Sequence, residues 1–387
     1  MSESHHAAGS DIRFAGGSLT IDLDALKANY AALAKICEPA LTAGVVKADA
    51  YGLGIDHVVP ALAEAGCTRY FVALPEEGAA VRAVAPEATV YVLNGLFSEE
   101  SGGLYIENRL IPVLNSPADL RLWEMISGVS GERLPCAIHV DTGMNRLGLT
   151  VSEALAFAEE NSLTRAVEPV LVMSHLACAD QPAHPLNRRQ LESFQKVVAA
   201  FPGVESSLAN SPGVLLGAEY HFSLTRPGIA VYGGALVSGS PSPMRPVVTA
   251  EARIVQVRHA LAGETVGYGA SQTLARDTTI AIAAIGYADG YPRSSSAAGI
   301  PLRETGRPGG HGFIQGRRVP ILGRVTMDLT LFDVTDLGPD MVAKGDFIEL
   351  FGPNLPIDEA AEAAGTISYE LLTSLGRRYH RRYVSGS

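Results

Sequence analysis

The stretch Gly44-Val45-Val46-Lys47-Ala48-Asp49-Ala50-Tyr51-Gly52-Leu53-Gly54 joins a short apolar strand, a single lysine and a turn that contains two glycines. A lysine at the end of a buried strand loses part of its hydration, which favours the neutral, nucleophilic amine. A Schiff base with an aldehyde cofactor requires that form of the amine. Taken alone, however, Lys47 is better explained as a lysine that ends a strand and points to water.

Short β-branched runs alternate with amphipathic segments through the first part of the chain. Eight runs are predicted as strands: Ala43–Lys47, Tyr70–Leu74, Thr89–Leu93, Leu110–Leu114, Cys136–Val140, Val170–Ser174, Ser206–Ala209 and Phe222–Arg226. Repeated strand–helix units pair their strands in parallel with right-handed crossovers. Eight units predict an α/β fold with a closed (β/α)8 barrel of the TIM type, and a doubly wound open sheet is the alternative.

Start signals mark several of the helices between these strands. Asp24 precedes an apolar face with i, i+4 and i+7 spacing, and Asp56 is placed to cap a helix that ends at Gly66. Ser116 followed by Pro117 predicts an N-cap with proline at the first helical position.

The pattern changes at Ser238–Pro243, a Ser/Gly/Pro stretch typical of a linker. Beyond it, strand candidates at Glu251–Arg258, Thr279–Ile285 and Phe347–Leu350 are separated by Gly-rich turns. We therefore expect a disordered tail at residues 1–11, a barrel at 12–240 and a mostly antiparallel β domain at 241–387. The first strand, at about 15–23, fits either domain.

Composition restricts the class of protein. The 387 residues are 47% apolar and 18% charged, which is ample for a large core, and the net charge of −11 opposes nucleic acid or an anionic membrane as the main partner. The four cysteines are scattered without a CxxC pair, as expected for free thiols in a reducing compartment. No apolar run is long enough to span a bilayer, and the polar N-terminus lacks a signal-peptide core, so we expect a cytoplasmic protein.

Polar residues collect where the predicted strands end, which is where barrel enzymes place their active sites. They are Lys47, His139, Asp141, Arg146, His175, Asn210, Ser211 and Arg226. His139, Asp141 and His175 could alternatively be metal ligands, although no further cluster completes a coordination shell.

The segment Arg226–Gly233 follows the last strand and is placed to begin a short helix, whose free N–H groups attract anions. Loops after the seventh and eighth strands form the usual phosphate site of barrel enzymes, and Ser211 adds a hydroxyl. An ordinary helix cap explains the segment equally well. Gly52-Leu53-Gly54 lacks the third glycine of a dinucleotide fingerprint and is weak evidence for NAD.

In the second domain, Val266–Ala270 and Ile285–Tyr291 each place tyrosine beside glycine, at Tyr268 and Tyr287. Glycine lets the backbone approach a ligand or partner closely. Either tyrosine in isolation is better explained as a turn residue that is half packed on the surface.

Taken together, these motifs resemble the alanine racemase family over nearly the full chain. The matching segments occur in family order: Val46–Gly54, Asp141–Gly148, Ser174–Asp180, Ala209–Ser211, Arg226–Gly233, Tyr268–Ala270, Gly286–Tyr291, Gly323–Asp328 and Thr366–Glu370. The resemblance implies a pyridoxal 5'-phosphate (PLP) enzyme that racemises alanine and supplies D-alanine for peptidoglycan. It also implies a homodimer whose subunits share active sites.

The resemblance also assigns residue roles. Lys47 would carry PLP and act as one base, and Tyr268 of the other subunit would be the second base. Residues that would hold the cofactor are Tyr51, Arg146, His175, Asn210, Ser211, Arg226, Gly228, Ile229 and Tyr369. Arg146 and the Met327 backbone would bind the substrate carboxylate. An access corridor would be lined by Asp180, Tyr287, Arg293, Arg324 and Ile367.

General acid–base chemistry supports two of these roles, that of Lys47 and Tyr268 as bases and that of Arg226 at the pyridine nitrogen. Lysine and tyrosine both have reference pKa values near 10, and a neighbouring cation such as Arg146 helps to deprotonate the tyrosine. Arg226 at the pyridine nitrogen would keep that nitrogen an unprotonated acceptor and weaken the ring as an electron sink.

One position departs from the family pattern. Many members carry a carbamylated lysine two residues before the Asp-Thr-Gly, where this chain has His139. A neutral imidazole cannot supply the same negative charge, so another anion, such as chloride, or a different hydrogen-bond network would orient Arg146.

Three rival functions are weighed against alanine racemisation. A PLP homeostasis protein is a single barrel, which the C-terminal domain and Tyr268 oppose. A PLP-dependent decarboxylase favours a carboxylate at the ring nitrogen, which Arg226 opposes. A broader-specificity racemase, acting on serine, lysine or arginine, is not separated from an alanine enzyme by the sequence.

Overall fold

The computed structural model describes residues 11–159, 166–237 and 239–386, so most of the predicted tail, residues 1–10, lies outside the described residues. The chain divides into two units, here called the barrel unit (Leu26–Arg245) and the β unit (Pro246–Ser387 together with Met1–Ala25). The division falls just after the predicted linker. None of the described residues forms a helix long and apolar enough to cross a membrane.

The helices and strands have the following bounds. The α-helices are α1 (Leu23–Cys37), α2 (Lys47–Gly52), α3 (Ile55–Glu64), α4 (Pro75–Val84), α5 (Gly102–Glu107), α6 (Pro117–Ser130), α7 (Val151–Glu159), α8 (Pro185–Ala200), α9 (Pro301–Glu304), α10 (Ile357–Ala363) and α11 (Ser368–Thr373). Short 3-10 helices cover Ile12–Phe14, Pro212–Leu215, Ala218–Tyr220, Tyr268–Ala270, Tyr287–Asp289, Arg293–Ser295 and Thr335–Leu337. The strands are β1 (Gly17–Asp22), β2 (Leu41–Thr42), β3 (Gly44–Val45), β4 (Arg69–Val72), β5 (Thr89–Val92), β6 (Leu110–Leu114), β7 (Leu134–Asp141), β8 (Leu149–Thr150), β9 (Val167–Met173), β10 (Glu205–Ser207), β11 (Leu224–Thr225), β12 (Val248–Ala260), β13 (Thr265–Val266), β14 (Gln272–Thr273), β15 (Thr278–Ala283), β16 (His311–Ile314), β17 (Arg317–Leu322), β18 (Thr330–Asp333), β19 (Phe347–Phe351) and β20 (Tyr379–Val384).

Parallel strands of the barrel unit close into a cylinder. The main sheet has the order β10-β9-β7-β6-β5-β4-β3, and β11 pairs in parallel with β2, which directly precedes β3. The Ser223 N–H donates to the Ser206 carbonyl at 3.1 Å and the Arg226 N–H to the Ala209 carbonyl at 2.9 Å, which joins β11 to β10. The predicted closed barrel is therefore confirmed over the open sheet, and each of the eight predicted strands overlaps an observed one.

Continuous apolar runs explain why these strands are internal. All five residues of β6 are buried, as are three of four residues in β4 and in β5, because helices cover the outer face of a parallel barrel. The aromatic rings of Phe71 and Tyr91 stack at 4.7 Å between neighbouring strands. The tightly packed strands hold the residues at their carboxyl ends in fixed positions.

The helix-start signals were only partly right. Ser116 caps α6 as predicted, because its hydroxyl accepts from the Asp119 N–H at 3.1 Å. The α1 helix begins at Leu23, and the carboxylate that accepts from its first turn is Asp22 rather than Asp24. Asp56 is also not a cap, because α3 begins at Ile55 after Gly54 and Asp56 lies inside the first turn.

The β unit is mostly antiparallel, as predicted. Its strands follow the order β15-β18-β17-β16-β19-β12-β1-β20, and a further pairing of β15 with β12 closes a ring. The N-terminal strand β1 lies in this unit, antiparallel to β12 and parallel to β20. Burial alternates along most of β12, which is typical of a strand with one face on a core.

Candidate active site

Lys47 stands at the start of a left-handed turn. Its successors Ala48, Asp49, Ala50 and Tyr51 have φ values of 54°, 53°, 53° and 57°, a region that costs L-residues roughly 1–2 kcal/mol each. Local hydrogen bonds offset part of this cost, from the Ile55 N–H to Asp49 Oδ1 at 2.8 Å and from the Gly54 N–H to the Asp49 carbonyl at 2.9 Å. Strain of this kind concentrates at functional sites.

Glu77, which the sequence analysis missed, holds this turn from the neighbouring helix α4. Its Oε1 accepts from the Ala48 N–H at 2.7 Å, and its Oε2 accepts from the N–H groups of Ala73 and Leu74 at 2.8 and 3.1 Å. One carboxylate thus ties the end of β4 to the residue that follows Lys47. The only signal in the sequence was an acidic residue in the first turn of a helix.

The Lys47 amine has an altered protonation equilibrium. Burial lowers its pKa from the ordinary value, the Arg146 cation lowers it further, and the Glu77 carboxylate opposes both. More of the amine is therefore neutral near physiological pH than for an exposed lysine.

The carboxyl ends of the barrel strands, with Lys47, His139, His175 and Arg226, are here called the barrel mouth. Arg226 is its most deeply buried cation, with 4% of its surface exposed. Its Nη2 donates to the Ser174 carbonyl at 2.6 Å and its Nη1 donates to Ser207 Oγ. Burial lowers the pKa of Arg226 to about 9, which leaves the guanidinium charged at neutral pH. Within the described residues no carboxylate pairs with Lys47, Arg146 or Arg226.

His175 lies beside Arg226, with 3.4 Å between Nη2 and the imidazole Nδ1. Because arginine has only donors, Nδ1 accepts and Nε2 carries the proton. Asn210 Nδ2, 3.5 Å from that Nε2, is also a donor and is therefore a neighbour rather than a partner. Burial and the nearby cations hold the pKa of His175 well below its usual value, so the ring is neutral.

His139 is a second buried, neutral imidazole. Asn115 donates from Nδ2 to the carbonyls of Leu93 and Val113, which leaves its Oδ1 to accept from His139 Nδ1 at 2.7 Å. His139 is therefore protonated on Nδ1, and its Nε2 is an acceptor. Burial, followed by Arg226 and Arg146, lowers the pKa of His139 to about 4.

Asp141 has a structural role in place of the metal-ligand role that was the alternative interpretation of His139, Asp141 and His175. Asp141 Oδ1 accepts from the N–H groups of Gly143 and Met144 at 2.7 and 2.8 Å and so shapes the loop that carries Arg146. A guanidinium next to His175 opposes a bound cation. No group of three or more His, Cys, Asp or Glu side chains suited to a metal occurs in the described part of the chain.

Residues predicted to bind phosphate come together at the start of the segment after β11. Ser211 Oγ accepts from the N–H groups of Gly228 and Ala230 at 2.7 and 3.3 Å. A β-carbon on Gly228 would collide with the Tyr51 hydroxyl, and the Tyr51 ring stacks on Tyr232 at 4.5 Å. The buried Ile229 N–H makes no hydrogen bond to any described residue, so it is available to an anion.

Two predicted residues of the barrel unit lie on loops outside this phosphate-binding segment, although the Arg146 cation is near enough to lower the pKa of Lys47, His139 and His175. Arg146 is exposed on the loop between β7 and β8. Asp180 lies on the loop between β9 and α8, and it forms no hydrogen bond or ion pair with the other site residues.

The remaining predicted site residues belong to the β unit and are mostly exposed. Tyr268 is 73% exposed, Met327 53% and Ile367 61%. Tyr369 is the second residue of α11, which begins directly after Ile367, and Arg293 begins a 3-10 helix.

Backbone hydrogen bonds join two turns of this unit. Tyr287 N–H donates to the Thr326 carbonyl and Ala288 N–H to the Met327 carbonyl, both at 3.0 Å. Arg378, which the sequence analysis missed, donates to Asp289 at 2.6 Å and to Asp328 at 2.8 Å and so fastens the same turns.

Comparison with known proteins identifies relatives across both units. Residues 21–235 match the family model described as alanine racemase, N-terminal domain, and residues 247–383 match alanine racemase, C-terminal domain. An alanine racemase of Rhizobium meliloti is 56% identical over 96% of this chain and 98% of the relative. A biosynthetic alanine racemase of Agrobacterium fabrum is 54% identical over 95% and 93%. The crystal structure of alanine racemase from Bartonella henselae with covalently bound pyridoxal phosphate superposes with a TM-score of 0.88, at 38% identity over 96% of this chain and 100% of that one.

Proposed function

This chain belongs to the alanine racemase family, and we propose that it interconverts L-alanine and D-alanine with PLP. The observation that carries the proposal is the set of charged residues at the barrel mouth. A strand-end lysine with a lowered pKa stands among cations that have no carboxylate partner in the described residues. Such a site is suited to a dianionic phosphate and an amino-acid carboxylate.

The residues present fit PLP. Ser211, Tyr51 and the free N–H of Ile229 would hold the phosphate, with Gly228 giving the space that the Tyr51 hydroxyl requires. Tyr369 and Asn210 would complete the pocket, as the family resemblance implies. Arg226 would donate to the pyridine nitrogen without giving up its proton, since its pKa of about 9 keeps it charged. His175 accepts from Arg226 and so keeps the guanidinium in place.

Lys47 would bind the cofactor covalently, and once the substrate amine has replaced it there, its free Nζ would act as a base. When bound, PLP withdraws electrons from the substrate α-carbon and makes its hydrogen acidic. Lys47 Nζ would accept that proton on one face, and its lowered pKa increases the fraction of the amine in the neutral form that can do so. The left-handed turn directs the amine, because the residues that follow Lys47 are held by Glu77 and Asp49.

Tyr268 would be the base for the opposite face, supplied by the other subunit of a homodimer. Its phenol is 73% exposed in the chain as described, which fits a group that completes a site on a second copy. Exposed apolar side chains of the same unit, Met327 and Ile367, are suited to burial in such an interface.

Arg146 and the Met327 backbone would bind the alanine carboxylate. In this chain His139 stands where other members carry a carbamate, and its unprotonated Nε2 is available as an acceptor for Arg146. Asp180, Tyr287, Arg293, Arg324 and Ile367 would line the access corridor.

The D-alanine produced would supply peptidoglycan synthesis in the cytoplasm, a role supported by the 54% identity to a relative named biosynthetic. The proposal is tested by a chiral assay of the purified, PLP-loaded protein against alanine, serine, lysine and arginine. We expect fast racemisation of alanine. Equal rates on the larger amino acids would indicate a broader racemase, carbon dioxide release would indicate a decarboxylase, and bound PLP without turnover would indicate a homeostasis protein.

A further inference from the structure

The turn that carries Tyr268 rests on the segment Gly323–Arg324. Gln272 Oε1, just after the turn, accepts from the Gly323 N–H at 2.6 Å. A β-carbon on Gly267, just before the turn, would lie 3.7 Å from the Arg324 backbone nitrogen. Both ends of the turn are therefore in contact with one neighbouring piece of backbone.

The Arg324 side chain lies in a slot between two glycines. A β-carbon on Gly269 would lie 3.1 Å from Nη1 and 3.5 Å from Cζ, so the guanidinium is next to the residue that follows Tyr268. On the other side, a β-carbon on Gly299 would lie 2.5 Å from Nε and 2.8 Å from Nη2. The guanidinium of the half-buried Arg324 is therefore in close contact with Gly299 on the side away from Gly269.

Hydrogen bonding does not explain why Arg324 occupies this slot. Within the described residues its guanidinium donates no hydrogen bond and forms no ion pair, and its buried Nε lacks a partner. The Ser271 hydroxyl, at the end of the same turn, is also buried without a partner. Close contact with Gly269 and Gly299, rather than a hydrogen bond within the described residues, therefore places the guanidinium beside the Tyr268 turn.

We propose that Arg324 is a positioning residue for Tyr268. Its planar guanidinium packs between Gly269 and Gly299 like a plate, and this packing fixes the position of the Tyr268 turn relative to the segment that contains Gly299. The inference rests on the proposed role of Tyr268 as a base. Since a displacement of about 1 Å in a reacting group can cost about 10²-fold in rate, the shape of this plate sets how well the phenol reaches its hydrogen.

The first test pushes on the plate without touching Tyr268. Gly299→Ala places a methyl group against Arg324 and also against the Ser271 β-carbon, 2.7 Å away at the end of the Tyr268 turn, so the Arg324 variants below are needed to separate the two contacts. Gly306→Ala is the matched control, since Gly306 has a similar positive φ (81° against 69°) but nothing within 4 Å. The readout is loss of the α-hydrogen to D2O, measured separately for L-alanine and D-alanine. We expect Gly299→Ala to slow exchange of one enantiomer by about 10-fold to 10²-fold and to leave the other nearly unchanged. Equal slowing of both, or an equal effect of Gly306→Ala, overturns the inference.

The second test separates shape from charge. Arg324→Lys keeps the cation and loses the plane, whereas Arg324→Met loses both. A positioning plate predicts that both variants slow exchange of the same enantiomer as Gly299→Ala does. If Arg324→Lys retains full exchange of both enantiomers, charge rather than shape is what matters, and the inference is wrong.

Tyr268→Phe in the same assay keeps the two claims distinct. If it slows one enantiomer while the Gly299 and Arg324 variants do not, the base role stands and the positioning role fails. If Tyr268→Phe shows no asymmetry, the base role fails. Crystal structures of the native enzyme and of Arg324→Met then decide the inference, because loss of the guanidinium should displace the Tyr268 backbone, and an unmoved backbone overturns the inference.

Discussion

The barrel mouth and the Tyr268 surface of the β unit hold their site residues in different ways. In the barrel mouth, buried side chains fix one another, as when Arg226 donates to Ser174 and His139 to Asn115. In the β unit the site side chains are mostly exposed, and hydrogen bonds fix the turns that carry them. The Tyr287 N–H donates to the Thr326 carbonyl, and the Gly323 N–H donates to Gln272 Oε1. The barrel mouth is suited to a permanently bound cofactor, and the β-unit surface to groups completed by a partner subunit.

The largest expected effect is at Lys47. Lys47→Ala removes both the covalent anchor and one base, so we expect activity to fall by about 10⁴-fold or more. Lys196→Ala, at an exposed lysine on α8, is the control and should be fully active. Borohydride reduction of the native enzyme followed by peptide mass spectrometry should place the cofactor on Lys47. Its appearance on any other lysine contradicts the role of the barrel mouth.

Tyr268→Phe should have the next largest effect. Removing one positioned base costs roughly 10²–10⁴-fold in the step it performs, so loss of the α-hydrogen to D2O should slow by that factor for one enantiomer. Exchange of the other enantiomer should persist, because Lys47 remains. Small and equal effects on both would show that the exposed phenol is not a base.

Mixing two inactive variants tests whether the two regions cooperate across subunits. In the proposed homodimer, Lys47→Ala and Tyr268→Ala would each lack a complete site, but a heterodimer of the two would hold one intact site and one doubly damaged site. With free exchange of subunits, activity should return to roughly a quarter of the native value. Proven exchange, measured by native mass spectrometry, without any return of activity would show that each site is built from a single chain.

Glu77→Gln tests the rigidity of the Lys47 turn. The carboxylate accepts three backbone hydrogen bonds, whereas an amide places a donor against one set of N–H groups, a loss of about 1–3 kcal/mol in the free energy of unfolding. Urea denaturation measures this loss. Glu76→Gln, at the exposed neighbour, is the matched control and should change stability little. If the two substitutions behave alike, the turn does not depend on Glu77.

The smallest effect concerns pH and His139. The pKa of His139 is about 4 in the folded protein against 6.5 for the ordinary group, so the unfolded chain takes up its proton first as the pH falls. Stability contributed by the neutral ring is therefore present above about pH 6.5 and is lost on going towards pH 4. His139→Gln should reduce the loss of unfolding free energy between pH 7 and pH 5 by about 1–2 kcal/mol. Unchanged pH dependence would mean that His139 titrates normally.

The sequence predicted what local pattern encodes. Apolar runs located all eight barrel strands, because a strand covered on both sides must be apolar along its length. The same pattern put Lys47, His139, His175 and Arg226 at strand ends. Helix caps were less reliable, since Asp22 and Asp24 are equally good acceptors in the sequence and only the path of the chain selects Asp22.

What the sequence by itself determined was the closed barrel, the antiparallel β unit and the residue types on which racemisation depends. Only the tertiary structure decided the left-handed turn after Lys47, the tautomers of the two histidines and the slot around Arg324. Each depends on partners distant in sequence: Glu77 for Ala48, Asn115 for His139 and Gly299 for Arg324. Hydrogen bonds and close packing act over a few ångströms in space, and the distance between residues along the chain does not show which of them will meet.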